Sequence, residues 1–135
     1  MIAFIDTNIL VRHLTGDPPE LAARATKLLA AAAPRELRLA DLVLAEVVYV
    51  LQSLYRLPRG QTAECARAIV AFPAVLVDDP AMLLRAIEIY ETNRLDFADA
   101  YLVAQAEATG VAAVVSFDAD IDKPGTLRVI SPEAV

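Results

Sequence analysis

Two short apolar runs near opposite ends of the chain each lead into an aspartate. Ile2-Ala3-Phe4-Ile5 runs into Asp6, and Val111-Ala112-Ala113-Val114-Val115-Ser116-Phe117 runs into Asp118. Short runs rich in aliphatic, β-branched and aromatic residues read as buried strands. The chain between them is mostly helical in pattern. Asp17-Pro18 has the form of an N-cap followed by proline at the first helical position, opening a helix over residues 19–33 that stops before Pro34. Asp41 is placed to cap a helix over 42–56, and another spans 59–71. Asp79-Pro80 repeats the cap-plus-proline signal ahead of a helix reaching residue 93. Asp96 caps a last helix through Thr109, which Gly110 closes as a left-handed C-cap. Strand-like segments at 37–40, 75–77, 112–116 and 127–130 complete the alternation.

Strands alternating with helices predict an α/β layer fold with a mainly parallel sheet. At 135 residues the chain forms one domain, 1–135, long enough to bury roughly 70% of its unfolded surface. In such folds ligands bind outside the carboxyl ends of the strands. Asp6 and Asp118 stand just past two of those ends, so a site is expected there.

Two further acids occupy settings where an isolated charge is costly. Glu46 interrupts the apolar run 42–51, and its helical neighbours Leu42, Val43, Tyr49 and Val50 are all apolar, with no basic residue within one turn. The bland alternative is a partly exposed glutamate on a helix apolar nearly all round, with Gln52 and Ser53 marking its polar side; the buried, functional reading is preferred. Asp99 lies three residues after Asp96. A cap explains Asp96 fully, leaving it at most a supporting role, but Asp is a poorer partner than Glu at the third helical position. Asp6 alone would be an Asx-turn with Thr7 and Asn8. Asp120 and Asp122 read as solvated acids of a loop, and Ser116 serves either a phosphate, a metal-bound water or the nearby backbone. A carboxylate in low dielectric takes up a proton or finds a cation. Asp6, Glu46, Asp99 and Asp118 are too many to share protons, and they suggest a divalent metal site.

Composition narrows the classes further. Hydrophobic residues make up 57% of the chain, yet no stretch approaches the ~18 apolar residues of a membrane span, because Asp41 and Glu46 interrupt the longest candidate. An acid at position 6 with no basic region before it is unlike a secretory signal. Cys65 is the only cysteine, which excludes an internal disulfide and fits a reducing compartment, so a cytoplasmic location is expected. The net charge of −6 argues against a general nucleic-acid binder, unless bound Mg²⁺ or Mn²⁺ turns the acids into a phosphate site. His13 is the only histidine, excluding a zinc site built on several, and no Gly-rich phosphate loop exists among the four glycines. Tyr49 and Tyr55 read as core or interface residues. Arg12, Arg56, Arg59 and Arg94 are candidate RNA-phosphate contacts, although surface solvation is the commoner fate of such side chains.

Taken together, Ile5-Asp6-Thr7-Asn8-Ile9-Leu10, Leu44-Ala45-Glu46-Val47-Val48-Tyr49-Val50-Leu51, Asp96-Phe97-Ala98-Asp99-Ala100, Ser116-Phe117-Asp118 and Ile130-Ser131-Pro132 resemble the PIN-domain family. The likeness is greatest to VapC-type toxins of prokaryotic toxin–antitoxin pairs and covers nearly the whole chain. It implies a three-layer α/β/α fold around a central, mainly parallel sheet of about four or five strands. It also implies an acidic quartet of Asp6, Glu46, Asp99 and Asp118, supported by Thr7, Asn8, Ser116 and Asp96. Asp6, Asp99 and Asp118 would hold one or two Mg²⁺ or Mn²⁺ ions, and Glu46 would orient or deprotonate the attacking water. Ser116 replaces a common threonine, and Ile121 stands where a phenylalanine commonly follows the second acid of the last motif, leaving Asp118 and Asp120 both open for that role.

The activity implied is a metal-dependent endoribonuclease acting on tRNA or rRNA, neutralised by a small antitoxin, homodimeric, with no membrane association. Readings from other classes are a receiver-type phospho-acceptor domain, a haloacid-dehalogenase-type phosphatase and a non-catalytic PIN binding module. The receiver requires paired acids after the first strand and a late lysine, but there is one acid, and Lys123 lies in a Pro-Gly turn. The phosphatase requires a second acid where Asn8 stands.

Overall fold

Every strand pairing in the computed structural model, which describes residues 1–135, is parallel. Six α-helices and five strands divide between two compact units, Met1–Pro80 and Ala81–Val135. The α/β class with parallel strands is therefore as the sequence predicts. The five strands form two ladders, one in each unit.

In the first unit the order is β1 (Ala3–Phe4), α1 (Thr7–Thr15), α2 (Pro19–Ala31), β2 (Leu37–Arg38), α3 (Asp41–Ser53), α4 (Arg59–Ala71) and β3 (Val75–Leu76). The strands lie in the order β1-β2-β3, with Ala3 opposite Leu37 and Leu37 opposite Val75. Each parallel step needs a crossover, and each crossover here is a helix pair. The ladder outlasts the paired residues: Ile5 N–H reaches Arg38 O at 3.0 Å and Leu39 N–H reaches Leu76 O at 2.9 Å.

Helix α1 is additional to the helices the sequence predicts. Where the sequence suggests an Asx-turn, Asp6 is the N-cap of α1, and Gly16 at φ 69° is its C-cap. Two expected caps fail. Pro18 holds the N-cap place of α2 with no side-chain bond, because the second proline, Pro19, opens the helix. The Asp17 carboxylate instead accepts from Tyr55 Oη at 3.0 Å. Ala40 is the N-cap of α3, and Asp41 is its first helical residue, where its charge still complements the helix dipole.

Helix α3 also ends early, at Ser53, and Arg56 turns left-handed at φ 54° while Leu57 N–H closes back on Leu51 O at 3.0 Å. Its buried stripe is Leu44, Val47, Val48 and Leu51. At 3.6 residues per turn, Leu42, Glu46, Tyr49 and Ser53 fall on the opposite face. Leu42 is 73% and Tyr49 68% exposed, and Glu46 is exposed with them. The expectation that Glu46 is buried is corrected, and of the two places expected for Tyr49, core or interface, its exposure excludes the core.

The second unit holds α5 (Pro80–Asn93) but for its first residue, then α6 (Phe97–Thr109), β4 (Ala113–Val115), a 3-10 turn at Ala119–Asp122, β5 (Arg128–Ile130) and a closing 3-10 turn at Pro132–Ala134. Strands β4 and β5 pair from Ala113 opposite Arg128 to Val115 opposite Ile130. Asp96 caps α6 as expected, and Gly110 ends it at φ 74°. Phe97, at the start of α6, packs edge-on against Tyr90 of α5, with ring centroids 6.0 Å apart. Arg85 of α5 grips Glu107 of α6 with two bonds of 2.8 and 3.0 Å, and Thr126 donates its hydroxyl to the same carboxylate. This bidentate pair fixes the far end of α6 against both α5 and the loop entering β5.

Candidate active site

Asp6 follows β1 because the strand ends there and the chain turns directly into α1. Its Oδ1 accepts the Thr7 N–H at 2.8 Å, satisfying one of the free donors at the helix start. Thr7 is buried, and its hydroxyl crosses to α3, donating to Glu46 Oε2 at 2.8 Å. One threonine thus contacts both candidate site acids of the first unit, the aspartate through its backbone and the glutamate through its side chain. Asn8 is exposed and lines a cleft of about 360 Å³ between α1 and α2 with Ile9, Arg12, Leu21, Arg24 and Leu28. Arg12 lines the same cleft and donates one N–H to the Asp17 carbonyl at 3.2 Å.

The second unit gathers the remaining acids. Asp96 Oδ1 accepts the Asp99 N–H at 2.8 Å, so its capping role is real. Asp99, half-buried in the first turn of α6, is pushed above the ordinary carboxylate value by burial. The charges of Asp96 and Asp118 and a hydrogen bond with Asp96 add to that rise. Asp118 caps the 3-10 turn, its Oδ1 accepting Asp120 N–H at 2.9 Å. Ser116 Oγ accepts the Asp118 N–H at 2.9 Å, so its hydroxyl serves the backbone. Asp120 lies 3.6 Å from Lys123 Nζ. Of those two aspartates, Asp118 is the one whose charge Asp99 feels.

Asp6, Thr7 and Glu46 are therefore joined in one unit, and Asp96, Asp99, Asp118 and Ser116 in the other. No group of three or more His, Cys, Asp or Glu side chains forms a metal cage. Mg²⁺ does not require one, because it keeps several waters and takes one or two carboxylates together with substrate phosphates. The donor set fits a hard divalent ion: it is all oxygen, and the like-charge repulsion at Asp99 is of the kind a cation relieves.

A sequence-family model described as PIN domain matches residues 3–127. The chain belongs to the PIN-domain family. PIN domains are generally metal-dependent nucleases, which places this chain among the phosphodiester hydrolases as a class and sets aside the receiver and dehalogenase readings. No curated protein matches this PIN domain closely enough to count. None of its helices is long and apolar enough to cross a membrane.

Sequence reasoning missed the Thr7–Glu46 bond as a physical link, although it named both residues. Two signals bore on it: an aspartate in front of a helix-forming run, and a hydroxyl at the first helical position, directly after the capping acid. It also missed the left-handed arginines, Arg35, Arg56 and Arg94, at φ 59°, 54° and 55°. Helices that stop without a glycine were the only hint of them.

Proposed function

We propose that this PIN domain is a metal-dependent endoribonuclease of the VapC toxin type, hydrolysing RNA phosphodiester bonds. The observation that carries the reading is the pairing of acids in each unit: Thr7 holds Glu46 beside the strand-end Asp6, and Asp99 meets Asp96 and Asp118. Asp6, Asp99 and Asp118 would hold Mg²⁺ or Mn²⁺ in this reading, with Asp96 fixing the start of α6. A bound divalent ion supplies charge for the phosphoryl oxygens and lowers the pKa of water.

The chain's own part is positional. Glu46 takes the proton of the attacking water, and its orientation comes from the Thr7 hydroxyl. The water oxygen bonds to phosphorus as the bond from phosphorus to the 3′ oxygen breaks, and the departing 3′ oxygen takes a proton from solvent, leaving a 5′-phosphate and a 3′-hydroxyl. Asp118 is favoured over Asp120 as the last ligand because Lys123 occupies Asp120. A toxin of this kind has a small antitoxin as its partner and works as a homodimer on tRNA or rRNA; a cytoplasmic location goes with that role. Its acidic surface suits a basic inhibitor.

The test is incubation of purified protein with total RNA under Mg²⁺, Mn²⁺ and EDTA, with mapping of new 5′ ends. Discrete metal-dependent cuts that vanish in Asp6→Ala support the reading. Identical patterns from wild type and mutant under every condition would leave a PIN domain that only binds.

A further inference from the structure

The unit Ala81–Val135 carries four cationic side chains: Arg85, Arg94, Lys123 and Arg128. Arg85 is engaged with Glu107 at 2.8 Å and Glu88 at 2.5 Å, and Lys123 with Asp120 at 3.6 Å. Arg128 sits opposite Ala113 at the leading end of the β4–β5 ladder, whereas Asp118 follows its trailing end. That leaves Arg94. It is exposed and lies two residues before Asp96, so the two Cα atoms are at most about 7 Å apart.

Its backbone adds a second observation. Arg94 is left-handed at φ 55°, a conformation that costs a side chain with a Cβ roughly 1–2 kcal/mol and glycine nothing. A strained, long, cationic residue with no partner inside its own chain makes sense when the partner is an anion from outside. A guanidinium offers a phosphate two parallel N–H donors. It would also offset the repulsion that a carboxylate-rich face exerts on an RNA strand.

We propose that Arg94 binds a backbone phosphate of the RNA strand lying along Asp96, Asp99 and Asp118. The proposal rests on the nuclease reading above and adds a substrate contact to it. Arg35 is the matched comparison. It is left-handed at φ 59° but enters the leading end of β2, while Asp6 follows the trailing end of the parallel β1.

The experiment measures binding of a fluorescein-labelled oligouridylate by anisotropy across a salt series, under Ca²⁺ with strand integrity checked on a gel, alongside thermal melting. Arg94→Gly should bind roughly three- to tenfold more weakly, and its slope of log affinity against log salt should shrink by about 0.7. Its melting temperature should hold or rise. Arg94→Lys should keep the slope, and Arg35→Gly should leave binding unchanged. Wild-type affinity and slope in Arg94→Gly would overturn the proposal while leaving the nuclease reading intact, provided the wild type cleaves RNA. A wild type that neither binds nor cleaves RNA removes the nuclease reading, and this contact with it.

Discussion

Thr7 Oγ1 donates to Glu46 Oε2 at 2.8 Å, joining the first residue of α1 to the middle of α3 across 39 positions of sequence. Glu46 is exposed on α3, so this bond, rather than a dry pocket, is what fixes its carboxylate. Burial does not hold the proposed base in place; orientation does.

Removing that hydroxyl separates the two effects. Thr7→Val keeps the shape and deletes the donor, and should lower the rate of RNA cleavage roughly ten- to a hundredfold, as misplacement of a reacting group does. The stability cost should be only about 0.5–1.5 kcal/mol, because the accepting carboxylate is exposed to water. Thr7→Ser should restore most of the rate. Single-turnover cleavage with a parallel urea titration checks both; an unchanged rate in Thr7→Val would remove the positioning role.

Asp99 gives a pH signature. Its folded carboxyl is raised above the ordinary value of 3.8, so folding favours the protonated form. That contribution is complete below the unfolded value and is lost as pH rises through the higher folded one, where a charge must be held beside Asp96 and Asp118. Asp99→Asn should therefore melt higher than wild type at neutral pH, and the difference should close in acid. Mn²⁺ at a hundred times its Kd should stabilise the wild type by about 2.7 kcal/mol and the variant by much less. Melting curves against pH and Mn²⁺ measure this; equal curves for the two proteins would contradict it.

Glu107 titrates the other way. The Arg85 hydrogen bond holds its carboxyl below the usual value, helped by the Thr126 hydroxyl and the Arg85 charge. Its stabilisation is present above the unfolded value of 4.5 and fades as pH falls through the lowered folded one. Glu107→Gln should cost on the order of 1 kcal/mol near pH 7 and almost nothing in acid. A cost independent of pH would mean the contact is packing rather than an ion pair.

The left-handed arginines are strained wherever they occur. Arg56→Gly should raise stability by about 0.5–1 kcal/mol, since relief of the Cβ clash exceeds the added backbone entropy of the unfolded glycine. Chemical denaturation measures it, and a loss of stability would show that the guanidinium is held by contacts of its own.

Much of this was legible before any coordinates. The run into Asp6, the Asp96 cap and the Gly110 stop are local signals, each written in two or three adjacent residues, and each appears in the fold. What failed was of a different kind. Helix α3 is apolar nearly all round, so hydrophobicity alone does not say which stripe faces inward, and Glu46 lies on the outward face rather than the buried one. Asp17-Pro18 looked like a cap, but the second proline displaced the acid from the capping position. Helix α1 carries both of its end signals, Asp6 and Gly16, but an aspartate before Thr-Asn favours an Asx-turn as readily as a cap. The Thr7–Glu46 bond depends on a long-range crossing that no local pattern encodes.

The proposed function requires Asp6 and Asp99 each to be needed for metal-dependent cleavage. Single-turnover RNA cleavage under Mn²⁺ by Asp6→Asn, Asp99→Asn and the double variant, each checked for native melting, tests it most directly. Residues that act as a unit are strongly non-additive. Either substitution alone should abolish as much activity as both together. Losses that add, or a single variant that cleaves at the wild-type rate, would contradict it.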